Sequence, residues 1–116
     1  MAETVQTIGA RAQQAMQDGR LDEALADLSQ LKILIPHDAT IWLMTAYALR
    51  AKNQLDESRK QFETAAMMAP NDANIRFEFA KFLDQTGDFL GSVEQYDHVL
   101  RIAPGHLDTL IDRNLV

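Results

Sequence analysis

Residues 39–72, ATIWLMTAYALRAKNQLDESRKQFETAAMMAPND, decide the fold. In the first half of this stretch Trp42, Thr45, Ala46 and Leu49 stand at i, i+3, i+4 and i+7, one face of an α-helix. In the second half Phe62, Ala65, Ala66 and Ala69 repeat that spacing. Asn53 lies between the two, where the chain has to reverse and a residue tolerant of left-handed backbone is favoured. Asp56 falls in the opening turn of the second helix, where a carboxylate complements the helix dipole. Pro70 then ends that helix, because it has no N–H to give and its ring clashes with the preceding turn. The stretch predicts two antiparallel helices joined by a tight turn.

The same pattern occurs three times. The three prolines, Pro36, Pro70 and Pro104, are 34 residues apart, which sets repeats at 5–38, 39–72 and 73–106 with proline at position 32. Other columns agree with this register. Position 8 is Ala12, Ala46 and Ala80, and position 20 is Ala24, Ser58 and Ser92, all small enough for two helix backbones to approach closely. Position 24 is Leu28, Phe62 and Tyr96, large groups that fill the groove beside that approach. Position 11 reads Ala15, Leu49, Leu83 and position 17 reads Leu21, Leu55, Phe89. Gly19, Asn53 and Gly87 mark the turns, while Asp22, Asp56 and Asp88 lie at or near each second-helix start.

With these columns in place the chain resembles the tetratricopeptide repeat (TPR) family, whose 34-residue pattern is W-x2-L-G-x2-Y, then A-x3-F, then P. Trp42, Ala46, Phe62 and Pro70 match in the second repeat, which departs at Thr45, Leu49 and Ser58. The third has Ala80, Leu83, Tyr96 and Pro104, with Arg76 in place of tryptophan. The first has Ala12, Ala24, Leu28 and Pro36, with Ile8 at the tryptophan position and Arg11 at position 7. The resemblance covers about nine-tenths of the chain. It implies an all-α fold, a right-handed α-solenoid of helix-turn-helix TPR units forming a single domain over 5–116. Residues 107–116 would add a terminal helix with Leu107, Leu110, Ile111 and Leu115 on one face. That segment reads either as a cap or as the start of a fourth repeat in a longer protein.

Composition narrows the function. Among 116 residues there are 11 basic and 17 acidic side chains, a formal net charge of -6, and no cysteine. Disulfide frameworks, thiolate catalysis and cysteine-ligated zinc are thereby excluded. A net acidic chain also lacks the clustered Lys and Arg that grip phosphates, so nucleic acid is not the expected partner. No apolar run approaches the roughly 20 residues of a membrane span. The start, Met1-Ala2-Glu3-Thr4, shows no basic segment leading into an apolar one, so a cytoplasmic location is expected.

Catalytic motifs are not found. Neither phosphate-loop nor dinucleotide glycine pattern occurs. His37 and His106 follow prolines, His98 sits on a second helix beside Asp97, and no ligand spacing joins them, so all three read as solvated. The carboxylates Asp22, Glu23, Asp27, Asp56, Glu57, Glu63, Glu94 and Asp97 read as a solvated outer face of the second helices, not as an acid–base pair. The chain is read as a non-enzyme with no cofactor and no metal.

What remains is the face of the first helices. The resemblance implies that repeat positions 2, 5, 6, 9, 12 and 13 line a concave groove. Gln13, Leu43, Met44, Tyr47, Arg50, Phe77, Glu78 and Lys81 fall on those positions. Leu43, Met44, Tyr47 and Phe77 are apolar groups surplus to the core positions 4, 7, 8 and 11, and such surplus marks a recognition surface. Arg50 and Lys81 would steer a partner carboxylate, unless Glu78 and Asp84 neutralise them internally. The family's clamp for the C-terminal carboxylate of heat-shock chaperones would need Lys, Asn and Arg where this chain has Gly9, Gln13, Met44, Asn74 and Glu78. That ligand is not expected. The expected function is a protein-protein interaction module that binds a peptide or helix in the groove. One alternative is the N-terminal TPR module of a larger bacterial enzyme of sulfotransferase, glycosyltransferase or hydroxylase type. Another is homo-oligomerisation through end helices carrying Leu110, Ile111 and Leu115.

Overall fold

The computed structural model describes residues 4–106, all of whose regular structure is helical. The helices are α1 (Val5–Gln17), α2 (Leu21–Leu34), α3 (Ala39–Ala51), α4 (Leu55–Met68), α5 (Ala73–Gln85) and α6 (Phe89–Ile102). The chain divides after Met68 into two compact units, the first holding α1 to α4 and the second α5 and α6. The expected terminal helix with Leu107, Leu110, Ile111 and Leu115 lies outside the described residues. None of the described helices is long and apolar enough to cross a membrane.

The turns inside the helix pairs form as their residues dictate. Gly19, Asn53 and Gly87 have φ of 77, 62 and 93°, the left-handed region. Each donates its backbone N–H to the carbonyl three residues back, and the next residue donates to the carbonyl five back. Thus Arg20 reaches Ala15 at 2.8 Å, Gln54 reaches Leu49 at 2.9 Å and Asp88 reaches Leu83 at 2.8 Å. This paired bonding satisfies carbonyls that the helix end would otherwise leave open. The starts of the first helices are held by side-chain caps: Thr4 accepts from Thr7 N, Asp38 from Thr40 N, and Asp72 from Asn74 N and Ile75 N. The third pair also caps its second helix, through Asp88 Oδ1 and Gly91 N at 2.9 Å, whereas the start of α2 has no side-chain cap bond. A Cβ on Gly91 would come within 2.6 Å of the Asp88 carboxylate, so glycine makes room for that cap.

Packing within each pair depends on the small columns. Ala12, Ala24, Ala46, Ser58, Ala80 and Ser92 are all fully buried. In the first unit, Ile8, Ala12, Leu28, Leu31 and Ile41 form a cluster drawn from α1, α2 and α3. In the second, Ile75, Phe79, Ala80, Phe82 and Leu83 of α5 and Tyr96 and Val99 of α6 are buried. The buried first-helix positions differ in part from those expected. Positions 7, 8 and 11 hold in α3 and α5, but Trp42 and Arg76 at position 4 are only half-buried. Ile41 and Ile75 at position 3, and Ala48 and Phe82 at position 10, are buried instead. Ala69 falls beyond the end of α4.

Two polar features inside the fold were not foreseen. Asp27 is not on a solvated face: it is 8 % exposed, and Arg11 donates to both its oxygens, from Nε at 2.9 Å and Nη2 at 2.8 Å. These charge-assisted bonds hold the Asp27 carboxyl below its usual value against the opposing effect of burial. Arg11 therefore occupies an apolar position of the repeat by carrying its partner with it. The second feature separates equivalent serines. Ser58 Oγ donates to the Ala46 carbonyl at 2.7 Å, whereas Ser92 Oγ is buried with no hydrogen-bond partner among the described residues.

Both features are open to measurement. Ser58→Ala is expected to cost about 1 kcal/mol, while Ser92→Ala is neutral or stabilising, since an unsatisfied buried hydroxyl is removed; equal losses in denaturant melts would refute the distinction. Arg11→Met is expected to cost about 1 kcal/mol at neutral pH, because one member of the pair is half-exposed. A carboxyl held low in the folded state contributes stability above about pH 4 and loses it as the pH falls through its folded value. The gap to wild type should therefore narrow between pH 7 and pH 3, and an unchanged gap would assign the loss to packing.

Candidate protein-interaction face

Four of the expected groove residues lie on α3. Leu43, Tyr47 and Arg50 recur at i, i+4 and i+7, so they share one stripe of that helix, and all are half-buried. The Tyr47 ring packs in a T-shaped arrangement with Phe62 of α4, with centroids 5.9 Å apart at 70°. The Arg50 guanidinium stands 5.2 Å from the centre of the Tyr47 ring, and no carboxylate among the described residues is within ion-pair reach of it. Met44 differs from its neighbours: it packs with Met16 and Ile35 against the Ile8–Leu28–Leu31 cluster, so its apolar surface serves the core. Gln13 of α1 is exposed.

Phe77, Glu78 and Lys81 lie on α5, in the second unit. Phe77 is covered by its own chain. Its ring centroid is 6.1 Å from that of Tyr96 and 4.9 Å from that of His106. Lys81 Nζ sits 5.1 Å from the Phe77 ring centre and 3.6 Å from Glu78 Oε1, so internal neutralisation is what the structure shows for Lys81. His106 is consequently not a solvated turn histidine. His98 is half-buried too, and burial, then the positive fields of Arg76 and Arg101, push its pKa down. Leu110, Ile111 and Leu115 fall outside the described residues.

One arrangement gave no signal in the sequence. Lys32 Nζ of α2 lies 4.1 Å from the centre of the Trp42 ring and donates to Gln61 Oε1 of α4 at 2.9 Å. Burial lowers the Lys32 pKa. The Trp42 indole N–H is buried without a hydrogen-bond partner among the described residues. These three residues sit on three different helices at unrelated repeat positions, so no periodic pattern could have joined them. Among the described residues no group of three or more His, Cys, Asp or Glu is placed to hold a metal ion.

Comparison with known proteins accords with this geometry. The tetratricopeptide repeat family model matches residues 15–76, more than half of the sequence. The chain belongs to the tetratricopeptide repeat family. Its fold is all-α, built of the family's helix-turn-helix units. Among curated proteins no match was found. Among solved structures, the type III secretion translocator chaperone SycD of Yersinia enterocolitica is similar, with a TM-score of 0.86 at 16 % identity over 97 % of this chain and 90 % of that one. PcrH, solved in complex with the chaperone binding region of PopB, gives 0.81 at 20 % identity over 99 % and 96 %. MamA gives 0.83 at 17 % identity over 97 % of this chain, which spans 66 % of the MamA chain. At these identities the likeness is one of fold.

The Lys32–Trp42 stack yields a spectroscopic expectation. Removing the ammonium charge from above the only tryptophan changes the indole's surroundings, so Trp42 emission should titrate with a midpoint below the ordinary lysine value of about 10.4. Lys32→Met should abolish that transition; its persistence would show that another group is responsible.

Proposed function

We propose that the chain is a non-catalytic protein-interaction module, with residues 5–116 acting as one TPR domain that takes a peptide or helix on its first-helix face. The observation that carries this is the α3 stripe, where Leu43 and Tyr47 remain part-exposed beside the Arg50 cation while Met44 serves the core. A part-exposed aromatic and aliphatic pair next to one charge is the usual composition of a contact that anchors a partner side chain and orients it. Similar folds support the reading: PcrH was solved with the chaperone binding region of PopB, and SycD with a peptide of the translocator YopD. Leu43 and Tyr47 are the proposed anchors, with Gln13 and Arg50 as polar contacts. Phe77 contributes less, since Tyr96 and His106 cover it within the second unit.

The test is capture of partners from extracts of the source organism by wild type, Leu43→Glu and Tyr47→Ala, with melting curves run alongside. Leu43→Glu is expected to abolish capture while shifting the melting midpoint little, because the side chain is only half-buried. Tyr47→Ala is expected to abolish capture and also to cost about 1 kcal/mol of stability through its lost contact with Phe62. Undiminished capture by both folded variants would refute the α3 face as the binding site.

A further inference from the structure

The 17 acidic residues of this chain avoid two helices completely. Neither α1 (VQTIGARAQQAMQ) nor α3 (ATIWLMTAYALRA) contains Asp or Glu, although the chain's net charge is -6. Each carries one formal charge, an arginine. Arg11 is consumed by its bidentate bond to Asp27 of α2. Arg50 has no such partner: among the described residues it meets only the Tyr47 ring, at 5.2 Å. The neighbouring cation Lys52 is paired with Asp22, and Lys81 with Glu78, so Arg50 is distinguished from them by lacking a carboxylate. A guanidinium held over an aromatic face keeps its N–H edge available for a bidentate bond to a carboxylate. The helical acids of the first unit all lie on α2 and α4, as Asp22, Glu23, Asp27, Asp56, Glu57 and Glu63, while Asp18 and Asp38 sit at helix caps, so the charge within its helices is segregated.

From this we infer that the occupant of the α3 face is an acidic peptide segment, with an aliphatic or aromatic side chain seated on Leu43 and Tyr47 and an Asp or Glu one turn or a few residues away bound by Arg50. The inference rests on the proposed interaction function and adds the partner's chemistry. A basic segment meets an unpaired like charge at Arg50 and is repelled. A nucleic acid needs several phosphate contacts, which one arginine does not supply.

The experiment is a selection of displayed 12-residue random peptides on the full chain, repeated on Arg50→Glu and Tyr47→Ala, with binding of the selected synthetic peptides followed by fluorescence anisotropy. Peptides selected on wild type are expected to be enriched in Asp or Glu near a large apolar residue, to lose about tenfold in affinity to Arg50→Gln, and to weaken with added salt. Selection on Arg50→Glu should reverse the enrichment to Lys or Arg. Peptides that need Tyr47 but bind Arg50→Gln as well as wild type would overturn the acidic-partner inference and leave the interaction face intact. Peptides indifferent to both residues, or no selected peptides at all, would overturn the face together with the inference.

Discussion

Small residues fully buried between the two helices of each pair are the constraint from which most of the remaining structure follows. With Ala46 opposite Ser58, the helices α3 and α4 come near enough for a serine hydroxyl to reach a main-chain carbonyl on the neighbouring helix at 2.7 Å. At that spacing the large residue at position 24 has to fit alongside, and Phe62, Leu28 and Tyr96 are all fully buried there. A larger group at position 8 or 20 would separate the helices and open voids around those side chains. The turns then have to be short enough to keep the pair in register. They achieve it with one left-handed residue and two closing hydrogen bonds each.

This explains which parts of the fold were legible in the sequence. Helix pairs, turns and proline stops arise from local geometry that recurs every 34 residues, so three copies corroborate one another. Gly19, Asn53 and Gly87 could be placed because few residues tolerate the conformation they adopt. The burial pattern was less legible. Trp42 was expected in the core by its column, but the ring is half-buried, with the ammonium of Lys32 over it. Positions 3 and 10 carry core residues only in α3 and α5, and the polar Thr7 and Gln14 at those positions in α1 are exposed.

Polar contacts between helices were invisible for a different reason. The Arg11–Asp27 bond joins positions 7 and 23 in one repeat alone, and Lys32, Trp42 and Gln61 meet across three helices. Neither has a period to betray it. The interaction face shows the same division. Leu43, Tyr47 and Arg50 fall on one stripe as their spacing requires, whereas the role of Met44 in the core and the cover of His106 over Phe77 depend on contacts between elements. An apolar residue surplus to its own helix pair can still be required by the next, and sequence position cannot separate those cases.

Position 20 has a wider consequence. Ala24, Ser58 and Ser92 occupy it in turn: a methyl, a hydroxyl with an acceptor, and a hydroxyl without one among the described residues. The three repeats are thus a natural substitution series recorded in a single polypeptide, in which volume is held constant and polarity drifts. What the three share is a side chain small enough for a fully buried site, so the constraint at this column is one of volume and not of hydrogen-bonding capacity, and each pair accommodates its own polarity without the others changing.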